Sequence, residues 1–374
     1  MIRRPRTLQL PCDAATTWWF VLKRHEPPFR RSRGRTAVSC APAPLTRPAG
    51  AHARPWRERI STVRGVGATE VGLAHLIDEE AAALGDPCPP APEVTKARPR
   101  PDPATPEGLL EARRGLSSRA PDPRALKRIA RAGDRRVAVR VITPKDGQAR
   151  AVYLQVHGGG FYMDSAARSD RRNAALADAV GAVAVSVDYR LAPEHPWPAA
   201  PDDCETAALW LVEEAEASFG TARLMIGGAS AGATLAVATL LRLRDRGLAH
   251  RFVGAVLQFG AYDLSGRSPS GRLYADEWFI QAYAGHVEDR TLPDISPLYG
   301  DLRDLPPSLL VVGTLDRLLE DSLAMAARLS AAGNEVDVRV YPGAAHGFTS
   351  LPTDMGELAV HRIESWLTRR LEAG

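Results

Sequence analysis

From residue 136 onward, short runs of apolar residues alternate with stretches whose apolar residues recur at helical spacing. Short apolar runs are typical of strands that are buried on both faces, with helices covering the sheet. We therefore expect an α/β fold with a mostly parallel, doubly wound central sheet flanked by helices. The pattern predicts strands at 137–142, 151–156, 182–187, 224–226, 252–259, 308–312 and 335–341, and helices at 168–180, 205–218, 231–244, 322–332 and from about 354.

The first third of the chain has a different composition, because it contains 18 of the 30 prolines, all before residue 124. Residues 71–84 have apolar positions at helical spacing and precede Gly85 and Pro87, so they are predicted to form a helix. A loose stretch through Pro123 is expected to follow. We divide the chain into a disordered basic tail rich in proline and arginine (1–65), an N-terminal cap region (66–125) and an α/β domain (126–374).

The longest departure from the alternation is an insertion at 265–297, between two predicted strands. It contains Trp278, Phe279 and Tyr283, and its apolar residues at helical spacing predict a second part of the cap. Plain packing for stability is the alternative for this insertion and for the helix at 71–84.

Charge is divided unevenly along the chain. Residues 1–65 carry 14 lysines and arginines against 3 acids, and the remainder carries 34 against 41, so the net charges are +11 and −7. The basic part has no periodicity and is interrupted by prolines, which favours a disordered tail over a nucleic-acid-binding element. We therefore expect no nucleic-acid partner.

Two apolar segments bear on where the protein resides. Residues 17–22 form a very short apolar run that ends in Lys23 and Arg24, without a small-residue cleavage site, so export is not expected. Residues 224–241 are uncharged and approach the length of a membrane span, but the glycines and serine at 227–232 favour a buried strand, turn and helix. We expect a cytoplasmic protein without a membrane span.

The cysteines predict neither a disulfide framework nor a metal site. They lie far apart, without a C-x-x-C pair and without histidines at zinc spacing, so free thiols are expected. The four are Cys12, Cys40, Cys88 and Cys204.

The candidate chemistry begins with G-G-A-S-A-G-A at 227–233. Ser230 lies between a predicted strand and a predicted helix, as a nucleophilic serine at a sharp turn does. H-G-G-G-F at 157–161 follows an earlier predicted strand. The backbone N–H groups of Gly159, Gly160 and Ala231 are therefore the candidate donors to an oxyanion. Small-residue packing and an ordinary glycine turn are the alternatives for the two motifs.

A base and an acid follow the serine along the chain. His346, in A-A-H-G-F, comes after the strand at 335–341, and Asp316 comes after the strand at 308–312. The order serine, aspartate, histidine is that of an α/β-hydrolase triad. His157 belongs to the glycine loop, which it is expected to fix by hydrogen bonds. Two further acids, Glu320 and Asp321, leave alternatives to Asp316.

These motifs resemble those of the hormone-sensitive lipase family of esterases, in the bacterial branch with an H-G-G-G loop. The resemblance covers roughly residues 126–350 and includes V-D-Y-R-L-A-P-E-H-P-W-P-A-A at 187–200. It implies an α/β-hydrolase with a mostly helical cap, acting without cofactor on esters of short to medium acyl chains. It also implies mainly structural roles for His157, Arg190 and Glu194.

The chain departs from that family at three places. Ala229 replaces the aspartate before the nucleophile, Ala233 replaces the second glycine after it, and D-R-L-L-E at 316–320 replaces D-P-L-R-D. No member of the triad is lost. The missing carboxylate beside the serine bears on rate and substrate preference more than on reaction type.

The leading hypothesis is a serine carboxylesterase that forms an acyl-enzyme on Ser230 and takes a small-molecule ester as substrate. An acyltransferase with the same triad is one alternative. A ligand-binding protein on the same fold is another, although such relatives lack the catalytic histidine that is His346 here. A homodimer through the strand at the end of the sheet is left open.

Overall fold

The computed structural model describes residues 76–77, 79–84, 102–115 and 121–373, and these form one sheet with helices around it. The sheet order is β1-β2-β4-β3-β5-β6-β7-β8. Strand β1 pairs antiparallel with β2, and β2 with β4, whereas the other neighbours are parallel. The mostly parallel sheet is therefore confirmed. The strands are β1 Leu126–Ala132, β2 Arg135–Ile142, β3 Ala151–Val156, β4 Ala182–Val187, β5 Leu224–Ala229, β6 Phe252–Gln258, β7 Ser308–Gly313 and β8 Val336–Tyr341.

Helices cover both faces of this sheet. On β3, Val152 and Leu154 belong to the core that also contains α4 and α5 side chains, whereas Tyr153 packs among side chains of α3 and α8. Because successive side chains of a strand point to opposite faces, the two cores lie on opposite sides. Every residue of β3 is buried, which explains its largely apolar sequence. The helices are α1 Glu79–Ala83, α2 Pro106–Gly115, α3 Asp170–Val180, α4 Ala199–Phe219, α5 Ala231–Asp245, α6 Trp278–Ala284, α7 Leu319–Ala331 and α8 Asp354–Glu372.

The first half of the chain differs from the predictions in three places. Of the helix expected over 71–84, the described residues contain α1, and Ile77 forms a bridge with Val340 of β8 instead of continuing the helix. The stretch expected to be loose contains α2. Strand β1 was not predicted, because its first four residues are exposed and three of its seven are basic, so it lacks an apolar pattern.

Element boundaries moved by several residues at two helices. Helix α4 begins at Ala199 rather than at residue 205, and it accommodates Pro201 in its first turn, where the missing N–H has no intrahelical partner to lose. Helix α7 begins at Leu319 rather than at residue 322. The uncharged segment 224–241 divides into β5, a turn and α5, as predicted.

Several expectations lie wholly or partly outside the described residues. The tail at 1–65 is one of them, as are residues 71–75 of the predicted helix and Cys12, Cys40 and Cys88. Cys204 is a buried free thiol on α4. Within the described ranges, no helix has the length and apolar character to cross a membrane. Those ranges also contain no cluster of three or more potential metal-ligating His, Cys, Asp or Glu side chains.

Candidate active site

Ser230 lies at the sharp turn between β5 and α5. Its backbone has φ 54° and ψ −125°, outside the conformations that most residues adopt. The turn is held by Ala233 N–H, which donates to Ser230 O at 2.9 Å. A Cβ at Gly228 would lie 2.3 Å from the Gly232 carbonyl, and one at Gly232 would lie 2.2 Å from Val156 O. Both glycines are therefore required by the close approach of backbone that pushes the serine outward.

His346 and Asp316 meet this serine from the loops after β8 and β7. His346 Nε2 lies 3.1 Å from Ser230 Oγ, and His346 Nδ1 lies 2.8 Å from Asp316 Oδ2. The Asp316 side chain is fully buried, and its Oδ1 accepts the Leu318 N–H at 2.9 Å. The rings of Phe259 and His346 meet at an interplanar angle of 68°, with their centroids 5.0 Å apart. The arrangement joins a hydroxyl, an imidazole and a buried carboxylate in one hydrogen-bonded chain.

The two alternative acids do not join that chain. Glu320 is exposed on the first turn of α7. Asp321 is fully buried and faces another part of the core, where its Oδ2 accepts the Tyr274 hydroxyl at 2.5 Å and the Tyr262 N–H. Asp316 is therefore the carboxylate that meets His346.

The loop that begins with H-G-G-G-F, residues 157–165, is called the glycine loop; it follows β3 and lies beside the serine. A Cβ at Gly158 would be 3.6 Å from the Ser230 Cβ, which places the loop next to the turn. Gly159 has φ 107° and Gly160 has φ 58°, values that glycine adopts most readily. Within the described part of the chain, the N–H groups of Gly159, Gly160 and Ala231 donate to no protein acceptor. These three donors are thus free for a bound group.

His157 is buried at the start of the loop, away from the serine's hydrogen-bonded chain. Its Nδ1 lies 2.7 Å from Gly158 O, and its ring stacks on Tyr189 at 4.0 Å. Tyr189 Oη in turn donates to His157 O at 3.0 Å. Burial lowers the pKa of His157, which favours the neutral imidazole. These contacts fit the predicted role in fixing the loop.

Arg190 and Glu194, the two residues of the string at 187–200 with an implied structural role, each form an ion pair. Arg190 pairs with Asp203 through Nε at 2.9 Å, and the Arg190 N–H donates to the same carboxylate. Glu194 pairs with Arg113 of α2 at 2.7 Å, and this hydrogen bond holds the pKa of Glu194 below its ordinary value. Neither residue contacts the serine or histidine.

Sequence reasoning missed the contribution of α2. Leu109 of this helix packs with Tyr162 and Met163 of the glycine loop, and Trp278 and Phe279 of α6 pack against the same cluster. A signal for α2 was available in T-P-E at 105–107, where a capping threonine precedes proline and glutamate. Thr105 Oγ1 indeed accepts the Gly108 N–H at 3.1 Å.

Phe279 lies directly over the glycine loop. A Cβ built on Gly160 would be 3.3 Å from Phe279 Cδ2 and 3.2 Å from Tyr162 Cε1. The Tyr162 ring meets Trp278 edge-on, at a centroid distance of 5.1 Å. The space beside the candidate oxyanion donors is therefore bounded by aromatic rings from the loop and from the 265–297 insertion.

Comparison with known proteins relates this chain to α/β-hydrolases and to ester hydrolases. A family described by its α/β-hydrolase fold matches residues 153–350. Ethyl acetate hydrolase of Pseudomonas putida is 35% identical over 215 residues, or 54% of this chain and 66% of that protein. The match thus spans just under two thirds of that relative's length.

Solved structures give the same result. The esterase of the archaeon Pyrobaculum calidifontis is similar at a TM-score of 0.62 and 31% identity, over 67% of this chain and 86% of that one. A hormone-sensitive lipase from a metagenome library is similar at a TM-score of 0.60 and 32% identity, over 70% and 91%. The resemblance that the motifs indicated is confirmed.

Proposed function

The chain belongs to the α/β-hydrolase family, and we propose that it is a serine carboxylic ester hydrolase acting on esters of short to medium acyl chains. The observation that carries the proposal is the hydrogen-bonded chain from Ser230 Oγ through His346 to the buried Asp316. A serine hydroxyl is a weak nucleophile near neutral pH and needs such a base within hydrogen-bond reach.

In the first half of the proposed reaction, Ser230 Oγ attacks the ester carbonyl carbon while His346 Nε2 accepts the hydroxyl proton. Asp316 accepts the His346 Nδ1–H and stabilises the imidazolium that forms. The carbonyl oxygen becomes an oxyanion, which the N–H groups of Gly159, Gly160 and Ala231 bind. A donor of this kind contributes about 3 kcal/mol to transition-state stabilisation.

His346 then donates its proton to the leaving alcohol oxygen, and the C–O bond of the ester breaks. The acyl group remains on Ser230 as a second ester. Water attacks that ester while His346 accepts one of its protons. Collapse of the second oxyanion then breaks the bond to Ser230 Oγ, which takes the proton from His346, and the carboxylic acid is released. Each step uses only protein groups, the ester and water.

The proposed preference for uncharged acyl groups of short to medium length rests on the aromatic boundary of the site. Phe279 approaches Gly160 closely, and Trp278 and Leu109 surround the neighbouring loop residues. An apolar boundary leaves a charged acyl group without a polar partner. A ring close to Gly160 also limits the length of the acyl chain that can bind. The relative from Pseudomonas putida is named for hydrolysis of ethyl acetate, which has a two-carbon acyl group.

The test is hydrolysis of p-nitrophenyl esters from acetate to dodecanoate by the wild type, Ser230→Ala and Ser350→Ala, which changes an exposed serine after His346. We expect turnover that peaks at a short chain, disappears in S230A and persists in S350A. A serine-reactive fluorophosphonate should label only the proteins that retain Ser230.

The same assay separates the alternatives. Folded wild type that neither hydrolyses any ester nor reacts with the fluorophosphonate would support a binding protein and refute the proposal. Labelling without hydrolysis, followed by ester formation when an alcohol acceptor is added, would identify an acyltransferase.

A further inference from the structure

Arg113, in the last turn of α2, donates hydrogen bonds to two separate segments beside the candidate site. Its Nε donates to Tyr162 O at 2.8 Å, and its Nη2 donates to Ala192 O at 2.9 Å. Its Nη1 and Nη2 also bind the Glu194 carboxylate, at 2.7 and 2.8 Å. We propose that Arg113 is a positioning residue, which holds the glycine loop in the shape that binds the oxyanion. This inference rests on the proposed function.

The glycine loop has a backbone that needs support from outside. Gly159 and Gly160 have positive φ angles, and so do Phe161 at 66° and Asp164 at 81°. Residues with a Cβ adopt this region only at a cost, so the surrounding structure has to impose it. Phe161 and Asp164 are thus two strained residues within one short loop, so the shape of the loop depends on its contacts with neighbouring segments.

Two donors from outside the loop hold its central carbonyls. The Ala192 N–H donates to Phe161 O at 2.9 Å, and Arg113 donates to Tyr162 O. Since Arg113 also binds Ala192 O, it adds a second link between the two segments that the Ala192 N–H already joins. These two carbonyls share their peptide planes with the N–H groups of Tyr162 and Met163, which both donate to Gly159 O, at 3.2 and 3.1 Å. Gly159 O in turn lies in the same peptide plane as the Gly160 N–H.

An arginine suits this position better than a lysine. The planar guanidinium directs Nε and both terminal nitrogens to different acceptors at once, whereas an ammonium is a point charge on a flexible stem. The ion pair with Glu194 does not explain why arginine suits this position. The two side chains are 27% and 51% exposed, and such pairs stabilise a protein little. The backbone carbonyls are the contacts that matter.

An apolar contact reinforces the same link. Leu109, one helical turn before Arg113, packs on Tyr162 and Met163 of the loop. Helix α2 therefore contacts one loop through a guanidinium and a leucine. A displacement of α2 would therefore move the donors of the glycine loop, Gly159 and Gly160, while Ala231 N–H and the contact between His346 and Ser230 stayed in place.

The experiment compares Arg113→Met, Arg113→Lys and Glu194→Gln with Arg114→Met, a control on the adjacent exposed arginine of α2. The kinetic readout is kcat and KM for p-nitrophenyl acetate, with folding checked by circular dichroism. The second readout is hydrogen–deuterium exchange of peptides covering residues 157–165, which does not depend on turnover.

We expect kcat to fall about 10- to 100-fold in R113M and R113K, with KM within about threefold of the wild type, because a small misplacement of catalytic groups costs that much. Exchange in the loop should be faster in both variants. E194Q should have a smaller effect, since both backbone contacts remain, and R114M should match the wild type.

Folded R113M with wild-type kcat, or with unchanged exchange in the loop, would overturn the positioning role while leaving the proposed function standing. Equal losses in R113M and R114M would also overturn it, since they would reflect general weakening of α2. Inactive wild type that fails to react with the fluorophosphonate would overturn both the proposed function and the role built on it.

Discussion

The residues that meet at Ser230 and the helices beside them are supported very differently. Asp316 follows β7, in which all six residues are buried, and Ser230 follows β5, in which five of six are buried. Helix α2 buries three of its ten residues, and α6 buries three of seven. The hydrogen-bonded chain is thus fixed by the sheet, whereas the walls of the site belong to short, half-exposed elements. A change in these walls can therefore alter the space beside Gly160 while the hydrogen-bonded chain stays in place.

The largest effect should come from the sheet-supported residues. Asp316→Asn keeps the size of the side chain but presents an amide to His346, which favours the tautomer that cannot accept the serine proton. We expect kcat for p-nitrophenyl acetate to fall about 10⁴-fold.

Exposed Glu320→Gln, four residues further along, is the matched control for D316N and should retain wild-type kcat. Steady-state kinetics with active-site titration checks both variants. A D316N protein with more than a tenth of the wild-type kcat would show that the chain of hydrogen bonds is not used.

A second effect of intermediate size concerns Asp321, which joins α7 to the 265–297 insertion through Tyr274. Burial raises the pKa of Asp321 to about 6, so the folded protein binds this proton more tightly than the unfolded chain does. The free energy of unfolding should therefore fall as pH rises from about 4 to 6, by up to about 3 kcal/mol from this group.

Asp321→Asn removes that titration. Urea unfolding at pH 4, 5, 6 and 7 measures the difference in unfolding free energy between wild type and D321N. The unfolding free energy of the wild type should decrease relative to that of D321N as pH rises, and the difference should level off above about pH 7. Exposed Glu288→Gln is the control, and a difference for D321N that is constant across this range would contradict the prediction.

The smallest effect should come from the wall of the site. Phe279→Ala removes the ring that approaches Gly160, which enlarges the space for the acyl chain. We expect the ratio of kcat/KM for hexanoate to that for acetate to rise about tenfold.

The control for F279A is Leu273→Ala, which changes a side chain 52% exposed in the same insertion. Competition between the two esters in one reaction measures the ratio directly. An unchanged ratio in folded F279A would place the acyl group elsewhere in the site.

The same contrast explains what the sequence predicted. Strands such as β3 are buried on both faces, so their sequences are largely apolar and can be recognised as short apolar runs. Strand β1 carries basic residues and is specified by the Gly133–Asp134 turn, which gives only a local signal. Helix α2 is short, and the hydrogen bonds of its Arg113 reach residues 49 to 81 positions away, which no local pattern contains.

The residues of the candidate site were likewise predictable only where a local motif marks them. Motifs at Ser230 and His346 name the residues because tight turns require particular neighbours, such as Gly232. The choice between Asp316, Glu320 and Asp321 was not local, since it depends on which carboxylate meets His346 and which meets Tyr274. Arg113 carried no motif at all.

The bridge between Ile77 and Val340 has a consequence for self-association. An edge strand offers its unpaired backbone groups to any passing strand, including the same strand of another molecule. Here the outer side of β8 already holds a residue from the first part of the chain, and Asp337 and Arg339 place charges along the strand. Edge-to-edge pairing of two molecules across Val340 would therefore require release of the Ile77 bridge.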